Sequence, residues 1–354
     1  MRQTGPVSFV LSVSLAAASL LACAEATPPL PAAEQVLLLV HRTTGSLSLI
    51  RVNTPTAGTP IPLGGVAPSP TTVSALGGWA VVPLGDDPSV AVVNLRTARV
   101  ERLVPLPANS GATGAAMVDD SIAYVANPNL NSVTRVNYLT GDTASVAAGQ
   151  TPRAVVFTRG KVFVIDANLT PAGNPVGPSW VTVIDPLTNR PATGVDSILL
   201  PGPGNARYAD VAADGLLYVM NAGPGDGTTD SRLSLVDPVG RDELGNFKGF
   251  GNAAGAIADN GGSRLLVSSV SQGLMVFDLL NRQLLRGAGS GIPIPDNTGV
   301  AVDDNGRIYA LESGPCTAGA GGRLHILRRN LSESRVIDVG ECPVAALITE
   351  IPPQ

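Results

Sequence analysis

The sequence predicts an all-β fold: a seven-bladed β-propeller, its ring closed by a C-terminal strand that completes the N-terminal blade. Three observations predict it. Short apolar segments recur in one order: strand, polar or glycine turn, strand, variable loop, strand, turn, strand. No 3.6-residue period lasts long enough to place a helix between them, which excludes a βαβ arrangement. The two ends also carry complementary defects. The start offers three strands without a leading one, and the finish offers a leading strand with no blade after it.

The segments follow in order. "QVLLLVHRTTGSLSLIRVNTPTAGTPIPL", from Gln35, supplies three strands. Leading strands then start near residues 73, 113, 153, 208, 254 and 298. Their spacing of roughly 40 to 55 residues suits a propeller blade with some long loops. The third copy, "MVDDSIAYVANPNLNSVTRVNYLTGDTASV" from Met117, shows the whole pattern. "DG" at 214–215 and "NG" at 260–261 and 305–306 suit tight hairpins, because Gly and Asn tolerate positive φ. The flanking segments are rich in Val, Ile, Leu and Tyr, the residues that fill strands. "CPVAALI", 342–348, is the unpaired leading strand. Closing the ring with it removes the free sheet edges that invite aggregation. A pair of β-sandwich domains fits the length but leaves the repeat and the unpaired ends unexplained.

Composition narrows the function. The apolar fraction is 44% and only 14% of residues are charged, so the chain is not disordered. The net charge is -5 and no run of five basic residues occurs, which argues against nucleic acid as a partner. The first residues, "MRQTGPVSFVLSVSLAAASLLA", read as an export leader that is too short to span a membrane. The predicted organisation is therefore a leader over 1–22, a proline-containing tether over 23–34 and the propeller over 35–350. Loss of Arg2 with the leader takes the charge from -5 to -6.

"LLAC", ending at Cys23, resembles the lipobox of bacterial lipoproteins, although Leu21 stands where a smaller residue is more usual. The resemblance implies that Cys23 is acylated and becomes the N-terminus. The membrane would then be a partner, and the location would be the cell envelope, at the periplasmic side of the outer membrane or the cell surface. Soluble export with cleavage near Ala22 or Ala26 is the alternative. Cys316 and Cys342 remain, an even pair in an exported chain, with His325 alone as a further soft ligand. A disulfide is expected rather than a metal site. Closing that loop is worth about 3 kcal/mol on a chain-entropy estimate.

"YVANPNLNSVTRVNYLTGDTASV", with "VTVIDPLTNRPATG" (181–194) and "LSLVDPVGRDELG" (233–245), is similar to the YVTN-repeat β-propellers. Their repeat runs Tyr-Val-Thr-Asn, a loop, Val-Ser-Val-Ile-Asp and a Thr/Asn-rich turn. The resemblance covers most of residues 35–350 and implies a WD-like propeller of bacterial surface or periplasmic type. Ala126 stands in place of the Thr, and "VNY" in place of the Ile-Asp step.

Loops between second and third strands share a face with the connections between blades. Three insertions fall there: 168–179, 221–231 and 313–322. Long loops are the natural place for recognition, so Trp180, Asp226 and Asp230 are candidates for a ligand face. Trp180 can equally pack between blades, and Trp79 reads as core. Tyr124, Tyr218 and Tyr309 recur on second strands and read as packing between blades. Asp166, Asn221 and Glu312 also stand at strand ends near the channel mouth, with Asn127 at a matching place. Together they are a candidate Ca²⁺ set, since Ca²⁺ wants six to eight hard oxygens. The plain alternative is that they cap turns. No other cofactor is implied.

Chemistry has little support. His41 and His325 are the only histidines, each beside apolar strand residues. No Gly-X-Ser-X-Gly elbow and no dinucleotide or P-loop fingerprint is present. The sequence therefore points to a monomeric, non-catalytic binding or scaffold propeller, lipid-anchored, presenting its loop-rich face to a protein or a small envelope ligand. A metal-dependent propeller enzyme of lactonase or sugar-oxidising type is the alternative.

Overall fold

The apolar run Leu37–Val40 does not alternate with polar residues, and a computed structural model of the chain shows why. Leu37 and Leu39 pack against the seventh blade, whereas Leu38 and Val40 pack against the second. A strand buried on both faces has no solvent side. The structure describes residue 1 and residues 33–252 and 254–353. The predicted leader beyond Met1, Cys23 and all but the last two residues of the predicted tether lie outside them.

Seven antiparallel sheets follow one another along the chain. The first joins, from the channel outward, Pro343–Ile351, Glu34–His41, Ser46–Arg51 and Ile61–Pro62. The other six begin with inner strands Ser74–Leu76, Ala115–Met117, Pro152–Thr158, Ala206–Val211, Ala254–Asp259 and Asn297–Val302, which match the predicted starts. The ring closes as predicted. The C-terminal strand pairs with the N-terminal one in a register that sets Leu39 opposite Ala346 and Leu37 opposite Ile348. Blade four departs from the simple plan, because its third strand, Ser179–Asp185, pairs with both Arg190–Pro191 and Ser197–Leu200.

There is no single core. Seven apolar clusters each lie between two neighbouring blades, the last joining blade seven to blade one. Tyr124, Tyr218 and Tyr309 are fully buried within three of these clusters, as their recurrence predicted. Trp79 packs at the edge of another, its ring 6.4 Å from that of Tyr138. Each fully buried aliphatic side chain contributes about 1.5–3 kcal/mol, so the ring is held by many such terms spread evenly around it.

The face away from the insertions is built from tight turns. Gly215, Gly261 and Gly306 take positive φ between inner and second strands, as "DG" and "NG" predicted. These loops are longer than two residues, because Ala212 and Asp303 each begin a small turn of their own. Between third and outer strands the repeat carries Asn94, Asn137, Asp185, Asp237 and Asp278. Each accepts the N–H two residues ahead, at 2.8–3.0 Å. Asn137 does this as well as the aspartates, so "VNY" keeps the turn that Ile-Asp would make.

Candidate functional site: the channel mouth

The second strand of each blade ends on the face where its inner strand begins. The long insertions therefore surround the mouth of the central channel. Cys316, in the blade-seven insertion, is bonded to Cys342, in the connection from blade seven to blade one, with Cα atoms 4.5 Å apart. This is the predicted disulfide. The Arg42 N–H donates to the Cys342 carbonyl at 3.1 Å, so the bridge also fixes the backbone beside Arg42.

Asp166, Asn221 and Glu312 occupy one equivalent position, the last residue of the second strand in blades four, five and seven. His41 and Asn127 hold it in blades one and three. Each reaches diagonally to the third strand of its own blade. The Thr182 hydroxyl donates to Asp166 Oδ2 at 2.6 Å. Asn221 Nδ2 donates to Ser234 at 3.1 Å and Asn127 Nδ2 to Thr134 at 2.8 Å. His41 Nε2 meets Ser48 at 2.9 Å, and His325 Nε2 meets Glu312 at 2.8 Å.

The three Ca²⁺ candidates are thus buried within separate blades and are not among the residues that line the channel, although among the described residues Asp166 Oδ1 and Asn221 Oδ1 have no hydrogen-bond partner. Among the described residues no three His, Cys, Asp or Glu side chains gather as a metal site. Burial pushes the Asp166 carboxyl up to about 7, against the pull of its hydrogen bonds from Thr182. A Cβ at Gly149 would lie 2.5 Å from Asp166 Oδ2, so only glycine fits where this connection crosses the carboxylate. Burial raises Glu312 too, but hydrogen bonds from His325 and Arg323 outweigh it and hold the carboxyl below its usual value. Burial also lowers the His41 imidazole.

The ligand-face candidates sit further out. Asp226 is exposed and closes its own turn, accepting the N–H groups of Thr228 and Thr229 at 2.9 and 2.7 Å. The Thr229 hydroxyl also donates to it, at 2.7 Å, and leads these bonds in holding the carboxyl well below the usual range. Asp230 accepts from Gly249 and Gly251, both at 2.6 Å, and so ties the insertion to the next connection. Trp180 is 39% exposed on the third strand of blade four, opposite Asp166 and Leu199.

The channel itself has a volume of about 910 Å³, with a recess of about 280 Å³ at the insertion-bearing mouth. Its rim has a repeated construction. Thr151, Asn205, Asp296 and Cys342 precede the inner strands of blades four, five, seven and one, all at φ between +44° and +59°. The carbonyl of each accepts an N–H from the residue after the second strand: Ala167, Ala222, Ser313 and Arg42 in turn. A register shift follows at once in each of these inner strands, bulging out Arg153, Arg207, Thr298 and Val344. Such bulges re-aim side chains beside functional sites.

Sequence reasoning missed the result. Arg42, Arg153 and Arg207 all line the channel, and Arg42 and Arg207 also line the recess. The signal was present in "TPRAV" and "GNARYA", which place arginine second in two inner strands.

No protein-family model matches the chain, and no curated protein sequence matches it. Among solved structures 1209 chains match, so the likeness establishes a widely used fold and selects no activity. One, a chain of Kuenenia stuttgartiensis hydrazine synthase, superposes with a TM-score of 0.62 at 15% identity, covering 80% of this chain and 96% of its own. That identity supports the shared seven-bladed architecture and nothing finer.

Proposed function

We propose that the chain is a non-catalytic binding propeller of the bacterial cell envelope, akin to the YVTN-repeat group and held at the membrane through acylated Cys23. One observation carries the reading: the two faces of the ring are built differently. Tight self-capped turns cover one face. The other collects the three insertions and the disulfide around an open channel mouth. Rigid rings with variable loops on one side present a recognition surface, and the loop-rich face is assigned that part.

The test compares the two faces in the intact envelope. A photo-crosslinking residue replaces Trp180 on one face, and in a second variant Leu280, which is 85% exposed in a turn on the other. The expected outcome is a discrete adduct from position 180 and none from 280. Equal labelling from both, or none from either, removes the reading. Cys23→Ser should move the chain from the membrane pellet to the soluble fraction; continued sedimentation removes the anchor.

A further inference from the structure

The seven blades serve as controls for one another. After the second strand, the position of Arg42 is filled by Ala167, Ala222 and Ser313 in blades four, five and seven. The bulge positions of Arg153 and Arg207 are filled by Thr298 and Val344 in blades seven and one. The fold therefore accepts a small or uncharged residue at every one of these places, and nothing in the ring's construction asks for arginine.

The arginines are also uncompensated. Among the described residues none of the three forms an ion pair with a carboxylate. Arg207 Nε donates only to the neutral Asn205 side chain, at 2.9 Å. Arg153 Nε is buried without a partner among the described residues. Burial, with the nearby Arg207 charge, lowers the Arg153 pKa from its usual value. Bringing like charges together along one channel is unfavourable until an opposite charge joins them. A second feature points the same way. Asn297 lines the recess, is 1% exposed, and among the described residues neither its amide oxygen nor its amide nitrogen has a partner. Such a group costs free energy unless something bonds to it. All this stands in a chain whose net charge is -5.

We infer that the channel mouth is an oxyanion site, in which Arg42, Arg153 and Arg207 take the carboxylate or phosphate groups of a small di- or trianionic ligand. The planar guanidinium fork suits both groups and can bind either in a bidentate manner. The inference rests on the binding role proposed above and supplies the chemistry of its ligand. The ligand enters from the insertion-bearing face, where the disulfide holds the Arg42 backbone in place.

The test is calorimetric titration of the full chain at neutral pH and low salt with two probes: citrate for carboxylates and pyrophosphate for phosphates. At least one should bind in 1:1 ratio, raise Tm, and weaken steeply as salt is added. Whichever binds identifies the group. Arg153→Gln/Arg207→Gln should weaken binding at least tenfold. Arg42→Gln, at an exposed position that leaves the fold undisturbed, should weaken it several-fold. Arg335→Gln, an exposed arginine on the outer strand Glu333–Glu341, should change nothing. Absence of binding by both probes overturns the inference, as does full binding in the double variant or an equal loss with Arg335→Gln. If the probes fail while position 180 still yields its adduct, the oxyanion site alone falls. If both fail, the binding role falls with it.

Discussion

The two ends of the channel carry opposite charges and treat them differently. At the end away from the insertions, Asp210 and Asp259 stand at the ends of two inner strands, next to last and last. Asp259 accepts the N–H groups of Ala213, Gly261 and Gly262 at 2.6–3.0 Å, and Asp210 that of Val211 at 2.8 Å. The Asp259 carboxylate is consumed by the turns it builds, and Asp210 bonds back to its own strand. At the other end the arginines hold no turn and no strand. Charge in a propeller can thus serve the fold or stand free of it, and hydrogen-bond partners separate the two cases better than position does.

Asp166 offers the largest test of that distinction, being a buried carboxylate at the arginine end. Its pKa is about 7 in the fold against 3.8 when free, so the folded chain holds a proton that the unfolded chain releases between those values. Stability therefore falls as pH rises from about 4 through 7. Asp166→Asn keeps an acceptor for Thr182 and loses the titration. It should exceed the parent in stability by up to about 4 kcal/mol at pH 8, and the gap should vanish near pH 4. Thermal melts across that range would show it, and a gap independent of pH would contradict it.

Cys316→Ser/Cys342→Ser comes next. Loss of the bridge should cost about 3 kcal/mol in denaturant unfolding and weaken oxyanion binding through Arg42, while reductant should have no effect on the double serine variant. Asp259→Ala should cost about 1–2 kcal/mol, because three N–H groups lose a charged acceptor. It should leave oxyanion binding unchanged, which breaks the symmetry between the ends. The smallest change in stability belongs to Arg207→Gln, within about 0.5 kcal/mol of the parent, although its effect on binding is among the largest. A large loss of stability there would show that the arginine serves the fold after all.

Much of the architecture was legible because it is local and repeated. Turn glycines, the Asn or Asp closing the third strand of five blades, and apolar runs buried on both sides recur along the chain. The disulfide followed from two cysteines that the blade plan sets on one face. The candidate site was harder to read. Asp166, Asn221 and Glu312 were correctly placed at equivalent strand ends, yet their diagonal partners Thr182, Ser234 and His325 lie on other strands. A one-residue bulge is likewise invisible in the pattern of apolar residues, and that bulge is what distinguishes Arg153 and Arg207 from ordinary strand arginines. Asn297 reads as a strand residue like any other until its neighbours are known.

The closure of the ring has a consequence in time. Six blades are complete as soon as their own stretch of chain exists, whereas the first waits for residues 343–351. Until then the inner edge of Glu34–His41 stands open, a template for any wandering strand. Joining the two ends spans roughly 300 positions, an entropic cost of about 5 kcal/mol, and contacts of such separation form slowly. The bond between Cys316 and Cys342 joins residues only 26 apart. Once it forms, the final strand no longer searches freely but hangs beside blade seven, next to the gap it must fill. In this sense the bridge is a latch: it shortens the exposure of the one edge that the order of synthesis leaves uncovered.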